Sequence, residues 1–246
     1  MAGEGTPRVS VVVPVRNEAG NILPLVEEIG RACAGLAPFE AIYVDDGSTD
    51  GTAEALRRAR EGRPWLRALR HRTGCGQSAA VRTGVLAARA PIVATLDGDG
   101  QNDPRFIPEL VGALEAGGAG VGLAAGHRLG RKDTGFKRFQ SRVANAVRGW
   151  MLRDGTRDTG CGLKAFRREV YLALPYFDAL HRFMPALVKR EGLAVVHVDV
   201  VDRPRAAGVS NYGFFDRLRV GVPDLFGVWW LIRRRRRVPE VEEVSA

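Results

Sequence analysis

Residues 91–104 read PIVATLDGDGQNDP, a short apolar run that stops in two aspartates, two glycines, two amides and a third aspartate before a proline. A run of this length bounded by turn formers predicts a strand over Ile92 to Leu96, buried on both faces as in a parallel sheet. The same layout occurs twice upstream. Ser10-Val11-Val12-Val13 precedes Pro14, Asn17 and Glu18, and Phe39 to Val44 precedes Asp45-Asp46-Gly47-Ser48-Thr49-Asp50. Each apolar run therefore ends in oxygen-rich side chains.

Helical patterns fill the intervals. Ile22, Val26, Ile29, Cys33 and Leu36 recur at helical spacing, and the hydroxyl and carboxylate side chains at 45–50 suit a turn and the cap of a helix through Ala53 to Arg60. Further along, the pattern predicts a strand at Leu66 to Leu69, a glycine turn at Thr73 to Gly76 and a helix from Gln77 to Ala88. A helix near Pro104 to Ala116, a strand at Val121 to Ala125 and a basic amphipathic helix from Phe136 to Leu152 follow. A strand at Ala194 to Val201 and an apolar, basic helix running to Arg237 complete the chain. Such alternation predicts an α/β fold, a mainly parallel sheet flanked by helices through right-handed crossovers. Ligands of such sheets sit beyond the carboxyl ends of the strands, so Asp45-Asp46 and Asp97-Gly98-Asp99 share one functional edge. The expected partition is one α/β domain over residues 1–213, an amphipathic basic segment over 214–237 and an acidic tail over 238–246.

The charge is uneven. The 246 residues carry 37 Lys and Arg against 28 Asp and Glu, a net +9. Eight basic residues against one acid between Arg128 and Arg153 give +7, and Arg233 to Arg237 give +5. Those two zones exceed the whole net charge, so each asks for an anionic partner. The second zone follows LFGVWWLI at 225–232, a stretch suited to lying in a membrane interface with arginines on anionic lipid. A helix packed on the core explains its apolar half equally, but not the arginines. Without aromatic and basic residues interleaved, nucleic acid is not expected. Three widely spaced cysteines argue against a disulfide framework or a structural zinc site. No stretch reaches the roughly 18–20 apolar residues that cross a bilayer, and the N-terminus reads as a core strand, not a secretory signal. A cytoplasmic protein, peripheral on the inner face of the membrane, is expected.

Asp97 and Asp99 lie two apart, so they face one side of an extended segment, and Gln101 repeats the period. Three oxygen donors there make an open site for a hard divalent cation. A single aspartate at a strand end is more often a turn former; the clustering is what favours a ligand site. The glycine turn at Gly74 and Gly76 has neither Rossmann nor P-loop spacing.

VVVPVRNEAGNI, YVDDGSTDGT and LDGDGQNDP, in this order, resemble the successive signatures of family 2 glycosyltransferases, inverting enzymes of the GT-A fold. GHRLGRKDT, DTGCGLKAF and RPRAAGVSNYG resemble the branch containing dolichol-phosphate mannose synthase and bacterial polyprenyl-phosphate sugar transferases, so the likeness runs from about Val9 to Gly213. The resemblance implies that Pro14, Val15, Asn17, Glu18 and Asp46 cradle the base and ribose of a nucleotide-sugar donor, with Asp45 ranked below Asp46 as a turn or cap residue. It implies that Asp97, Gly98 and Asp99 form the metal-binding DxD motif for Mg²⁺ or Mn²⁺, Asp99 being the catalytic carboxylate, with Gln101 a further metal ligand. Arg128, Arg131, Ser141 and Lys164 become candidates for the acceptor phosphate, Arg128 and Arg131 also for catalysis. Arg203, Arg205 and Ser210 become candidates for the donor phosphates. Two departures stand out: Asn211 replaces a usual lysine, and Gly160-Cys161 replaces a usual Thr-Ser.

The expected reaction moves a hexose from a GDP- or UDP-sugar to a polyprenyl phosphate. An ionised phosphate oxygen, with a second pKa of about 6, needs no general base. One rival is transfer to a sugar hydroxyl in cell-surface glycan assembly, for which residues 176–199 offer only Asp178, Glu191 and Asp199 as bases. Another is a non-catalytic, membrane-attached nucleotide-sugar binder. A membrane-protein partner or a second copy of the chain stays open.

Overall fold

The computed structural model describes residues 5–129, 147–156, 158–203, 214–234 and 242. Seven strands form one sheet: β1 (Val9–Val15), β2 (Phe39–Asp45), β3 (Leu66–Arg70), β4 (Ile92–Thr95), β5 (Val121–Arg128), β6 (Lys164–Arg167) and β7 (Ala194–Val200). Their order is β3-β2-β1-β4-β6-β5-β7. Only β6 runs against its neighbours, antiparallel to β4 and β5, while the other pairings are parallel. All strands except β6 therefore deliver their carboxyl ends to one edge.

The helices are α1 (Ala19–Ala32), α2 (Thr52–Ala59), α3 (Gln77–Ala87), α4 (Ile107–Ala116), α5 (Arg168–Ala173), α6 (Leu180–Arg190) and α7 (Phe214–Arg233), and residues 147–152 are helical as well. Apolar residues on both strand faces require cover on both sides. Val9, Val11, Val13 and Val15 of β1 pack with α1, α2 and α4. Val12 of β1 and Ile42 and Val44 of β2 pack with α3, α5 and α6 on the other face. The buried polar pair is satisfied: Glu40 accepts from Ser10 Oγ at 2.7 Å and from Arg67 at 2.6 Å.

The sequence reading holds for the alternation and misses three elements. β6, only four residues with a lysine and an arginine at its ends, carries too little periodicity to register. α5 follows it directly, and α6 begins at Leu180. β5 is longer than expected and ends at Arg128.

β1 and β4 are neighbours, and the chain runs outward to β2 and β3 on one side and to the remaining strands on the other. The reversal opens a crevice between their carboxyl ends. Its walls touch, since a Cβ on Gly98 after β4 would lie 2.4 Å from Val15 Cγ1 and 2.9 Å from the Pro14 oxygen.

α7 packs on α6. Val228 is 1% exposed, and the Arg190 Nε donates to the Leu231 carbonyl at 3.0 Å. Val222, Phe226 and Trp230, four apart, are 43%, 58% and 53% exposed and line the outer side. Arg233 lies over the Trp229 ring at 3.9 Å and Arg234 over Trp230 at 5.3 Å. Among the described residues, no helix is long and apolar enough to cross a membrane.

Candidate active site

Three loops build one wall of the crevice. After β1 the chain turns through Asn17, which takes a left-handed conformation at φ 56°. Asn17 Oδ1 accepts from the Thr49 amide and its own amide donates to Ser48 Oγ, both at 2.9 Å, while the Glu18 amide donates to Thr52 Oγ1 at 2.9 Å. Glu18 also accepts from Asn21 Nδ2 at 2.6 Å. Asp45, 1% exposed, accepts from the Ser48 amide at 2.8 Å and closes the turn.

Asp46 reaches across to the third loop. It accepts from the amides of Cys75 at 2.7 Å and Gly76 at 2.8 Å, and His71 Nδ1 lies 2.7 Å away. Burial alone raises its pKa, but these three contacts outweigh burial and hold the carboxyl below its usual range. The third loop is also pressed onto the second: Gly47 sits at φ +68°, and a Cβ there would come within 2.6 Å of the Gly74 nitrogen. Only glycine fits both constraints. The wall is preorganised.

The other wall is the turn after β4. The Asp97 amide donates to Asn102 Oδ1 at 2.9 Å, Gln77 Nε2 donates to Asp97 Oδ1 at 2.8 Å, and the Gln101 amide donates to Asp99 Oδ1 at 3.1 Å. Burial, then the neighbouring Asp99, push the Asp97 pKa up, with Lys164 and Arg128 opposing. Paired carboxylates with a nearby amide oxygen are a hard donor set whose mutual repulsion a divalent cation relieves, so these residues fit Mg²⁺ or Mn²⁺.

Behind them runs a chain of charges. Asn102 Nδ2 donates to Asp202 Oδ1 at 3.1 Å, and Arg128 contacts Asp202 Oδ2 at 3.2 Å. The same guanidinium holds Asp158 with two nitrogens, at 2.6 and 2.8 Å. That bidentate pair raises the Arg128 pKa and, against burial, lowers that of Asp158. Lys164 is 4% exposed and donates to the Cys161 carbonyl; burial pushes its pKa down, with Cys161 and Asp97 opposing. Arg203 binds Glu28 at 2.8 Å and Asp103 at 2.5 Å, and its amide donates to the Gln101 carbonyl at 2.8 Å.

The structure thus gathers Pro14, Val15, Asn17, Glu18, Asp46, Asp97, Gly98, Asp99 and Gln101 at one edge. Arg128 and Lys164 stand beside it. Arg128 and Arg203, expected to meet phosphates, already have carboxylate partners. Arg131, Ser141, Arg205, Ser210 and Asn211 lie outside the described residues. Of the carboxylates weighed as bases, Asp199 pairs with His127 Nδ1 at 2.9 Å and Glu191 with Arg190 at 2.5 Å. Gln77, Asn102, Asp158 and Asp202 support the site but escaped the sequence reading. For Asn102 the signal was its place just after the aspartates; for the others a contact 20 or more residues distant gives none.

A mainly parallel seven-stranded sheet with one reversed strand, carrying a carboxylate pair at its switch point, defines a GT-A fold. The signature described as "Glycosyl transferase family 2" matches residues 10–174, and the chain belongs to that family. It is 36% identical over 235 residues to a dodecaprenyl-phosphate galacturonate synthase of Rhizobium johnstonii, covering 93% of this chain and 68% of that protein. It is 33% identical over 208 residues to an undecaprenyl-phosphate 4-deoxy-4-formamido-L-arabinose transferase of Pectobacterium carotovorum, covering 84% of this chain and 63% of that protein. The chain therefore spans about two thirds of these curated relatives. Among solved structures, a mannosyltransferase of Pyrobaculum calidifontis in complex with GDP-Man and Mn²⁺ superposes with a TM-score of 0.67 at 24% identity, over 96% of this chain and 66% of that one. A glucosyl-3-phosphoglycerate synthase of Mycobacterium tuberculosis in complex with Mn²⁺, UDP and glucosyl-3-phosphoglycerate gives 0.69 at 23%, over 93% and 80%. At these identities the structures share the fold.

Proposed function

We propose that the protein transfers a sugar, with inversion, from a nucleotide-sugar to a polyprenyl phosphate at a membrane surface. The observation that carries this is the Asp97–Asp99 carboxylate pair facing the preorganised Asn17–Asp46 wall across the switch-point crevice. Relatives named for dodecaprenyl and undecaprenyl phosphate support the acceptor class.

In this reading the wall of Pro14, Val15, Asn17, Glu18 and Asp46 receives base and ribose. Asp46 Oδ2, engaged among the described residues by the Gly76 amide, keeps acceptor capacity for a donor hydrogen. Asp97, Asp99 and Gln101 would hold Mg²⁺ or Mn²⁺, which would supply neutralisation of charge on the leaving diphosphate. Gln77 and Asn102 hold Asp97 in place for that task. The acceptor phosphate, ionised near neutral pH, attacks without a protein base. Arg128 acts by fixing Asp158 and Asp202 beside the carboxylates, which leaves Arg131, Ser141 and the basic segment around them to approach the acceptor phosphate. Lys164 supplies a buried positive charge behind Asp97. Arg205 and Ser210 stay assigned to the donor phosphates, and Arg203 anchors the turn that carries Gln101. The exposed Val222, Phe226 and Trp230 stripe with its following arginines meets anionic lipid on the cytoplasmic face.

The test incubates pure protein with GDP- and UDP-sugars, Mn²⁺ and a short polyprenyl phosphate, and reads glycosylated lipid by mass spectrometry. Product is expected from one donor and is expected to vanish in Asp99→Ala with the fold intact by circular dichroism. Donor hydrolysis without lipid product identifies a different acceptor, and an active Asp99→Ala removes the metal role.

A further inference from the structure

Outside the Asp97–Asp99 pair, the described residues contain one other group of side chains with the makings of a metal site. Asp46 comes from the loop after β2 and His71 and Cys75 from the loop after β3, and a carboxylate oxygen, a ring nitrogen and the thiol sulfur lie within 4.8 Å of one another. From this arrangement we infer that Asp46, His71 and Cys75 form a three-ligand site for a thiophilic divalent cation, Zn²⁺, with its fourth position open to solvent.

The chemistry differs from that of the carboxylate pair. One sulfur, one imidazole nitrogen and one carboxylate oxygen suit Zn²⁺ and discriminate against Mg²⁺, which demands six oxygen ligands. Three protein ligands with one position free is the composition of an accessible zinc site, in contrast to a closed structural one.

Each ligand is held in place by something other than the metal. Asp46 is oriented by the Cys75 and Gly76 amides, at 2.7 and 2.8 Å, and these contacts survive when an ion replaces the histidine hydrogen. His71 presents Nδ1 to Asp46 at 2.7 Å while Nε2 lies 2.9 Å from Thr83 Oγ1. A threonine hydroxyl both donates and accepts, so it satisfies Nε2 in either tautomer and supports the ring once Nδ1 has lost its proton. Cys75 is exposed, and the hydrogen bond its backbone N–H donates to Asp46 anchors the loop that carries the thiol. That loop packs closely on the one carrying Asp46, since a Cβ on Gly47 would lie 2.6 Å from the Gly74 nitrogen. Bringing 2.7 Å neighbours to the wider separation of ligands around one zinc requires a shift of under about 1 Å, with bond lengths near 2.0–2.3 Å.

The sequence hides the group because its members are 25 and 4 residues apart in no metal-binding pattern, and only the packing of the third loop on Asp46 unites them. The metal site does not depend on the proposed donor role of Asp46. If Asp46 does receive the donor, the two ligands compete, and Zn²⁺ becomes an inhibitor acting at the nucleoside end of the crevice.

The experiment uses tag-free full-length protein and Zn²⁺ alone, by calorimetry against a chromogenic chelator, with excess Mg²⁺ present throughout. One equivalent of Zn²⁺ per chain is expected, weakened at least about tenfold in Cys75→Ser and about tenfold or more in Thr83→Val, which removes only the support behind His71. In the wild type, Zn²⁺ is also expected to protect Cys75 from iodoacetamide; Cys33 and Cys161 are buried and serve as unreactive internal controls. No stoichiometric uptake, or uptake unchanged in Cys75→Ser together with unprotected alkylation, overturns the site. A separate titration with GDP or UDP present reads competition. Its absence removes the donor role of Asp46 while leaving the zinc site standing.

Discussion

Gly162→Ala tests the carboxylate pair without touching either carboxylate. Gly162 precedes β6 by two residues, and a Cβ on it would lie 2.5 Å from Asp97 Cγ, 2.5 Å from Asp97 Oδ2 and 2.5 Å from Asn102 Oδ1. Ordinary contact begins at 3.4 Å, so these atoms must retreat by about 0.9 Å. Neither side chain yields freely: Asp97 is short and held by Gln77, and Asn102 is tied to the Asp97 amide and to Asp202. A misplacement of about 1 Å costs on the order of 10²-fold in rate, or about 2.7 kcal/mol in the barrier at 1.36 kcal/mol per tenfold. Overpacking costs about 1–3 kcal/mol of stability, which for a chain of this size lowers Tm by roughly 2–12 °C. Transfer rate, Mn²⁺ affinity in the presence of GDP or UDP, and Tm are measured beside Gly149→Ala, where a Cβ meets nothing within 4 Å. A Gly162→Ala protein with wild-type rate and Mn²⁺ affinity refutes the claim that Asp97 is gripped at this position.

Other expectations follow from the same contacts. Arg128→Ala strands Asp158 and Asp202, and with Arg128 17% and Asp158 12% exposed the loss is expected at about 3–5 kcal/mol by urea unfolding; adding Asp158→Asn recovers part of it if the pair is the cause. Glu40 lies away from the crevice, and although burial opposes it, Ser10, Arg67 and the Arg89 amide hold its pKa below the usual range. A depressed carboxyl contributes stability above its unfolded pKa of about 4.3 and loses it as pH falls through the lower folded value. Glu40→Gln is therefore expected to cost about 1–3 kcal/mol at pH 7, with the gap to wild type closing below about pH 4; a gap constant with pH contradicts this. Trp230→Glu or Phe226→Glu is expected to weaken flotation with anionic phospholipid vesicles by about 10- to 100-fold, from roughly 1.5–3 kcal/mol of lost apolar burial. Unchanged flotation removes the lipid role of the outer stripe.

Much of the fold is legible in the chain alone because burial has a period. Val9 to Val15 is apolar at nearly every position, so it must be covered on both faces, and helices at 3.6-residue spacing must provide the cover. The turn chemistry of Asp45-Asp46 and Asp97-Gly98-Asp99 then sits at strand ends, and a parallel sheet places all such ends on one edge. β6 was not legible, for four residues with a lysine and an arginine at their ends carry no period, and its antiparallel insertion depends on the edges that β4 and β5 leave free.

What tertiary structure decided is where each charge found its partner. Arg128 reads from sequence as a phosphate ligand, yet it meets Asp158 thirty residues on and Asp202 seventy-four residues on. Arg203 meets Glu28, 175 residues away, and Gly162 closes on Asp97 from the loop before β6. Periodicity is a local property that records only which side of an element faces the core. The pairing of charges at the sheet edge depends on which loops the crossovers bring together, and a Coulomb or steric contact of a few ångströms leaves no trace in residues tens of positions apart.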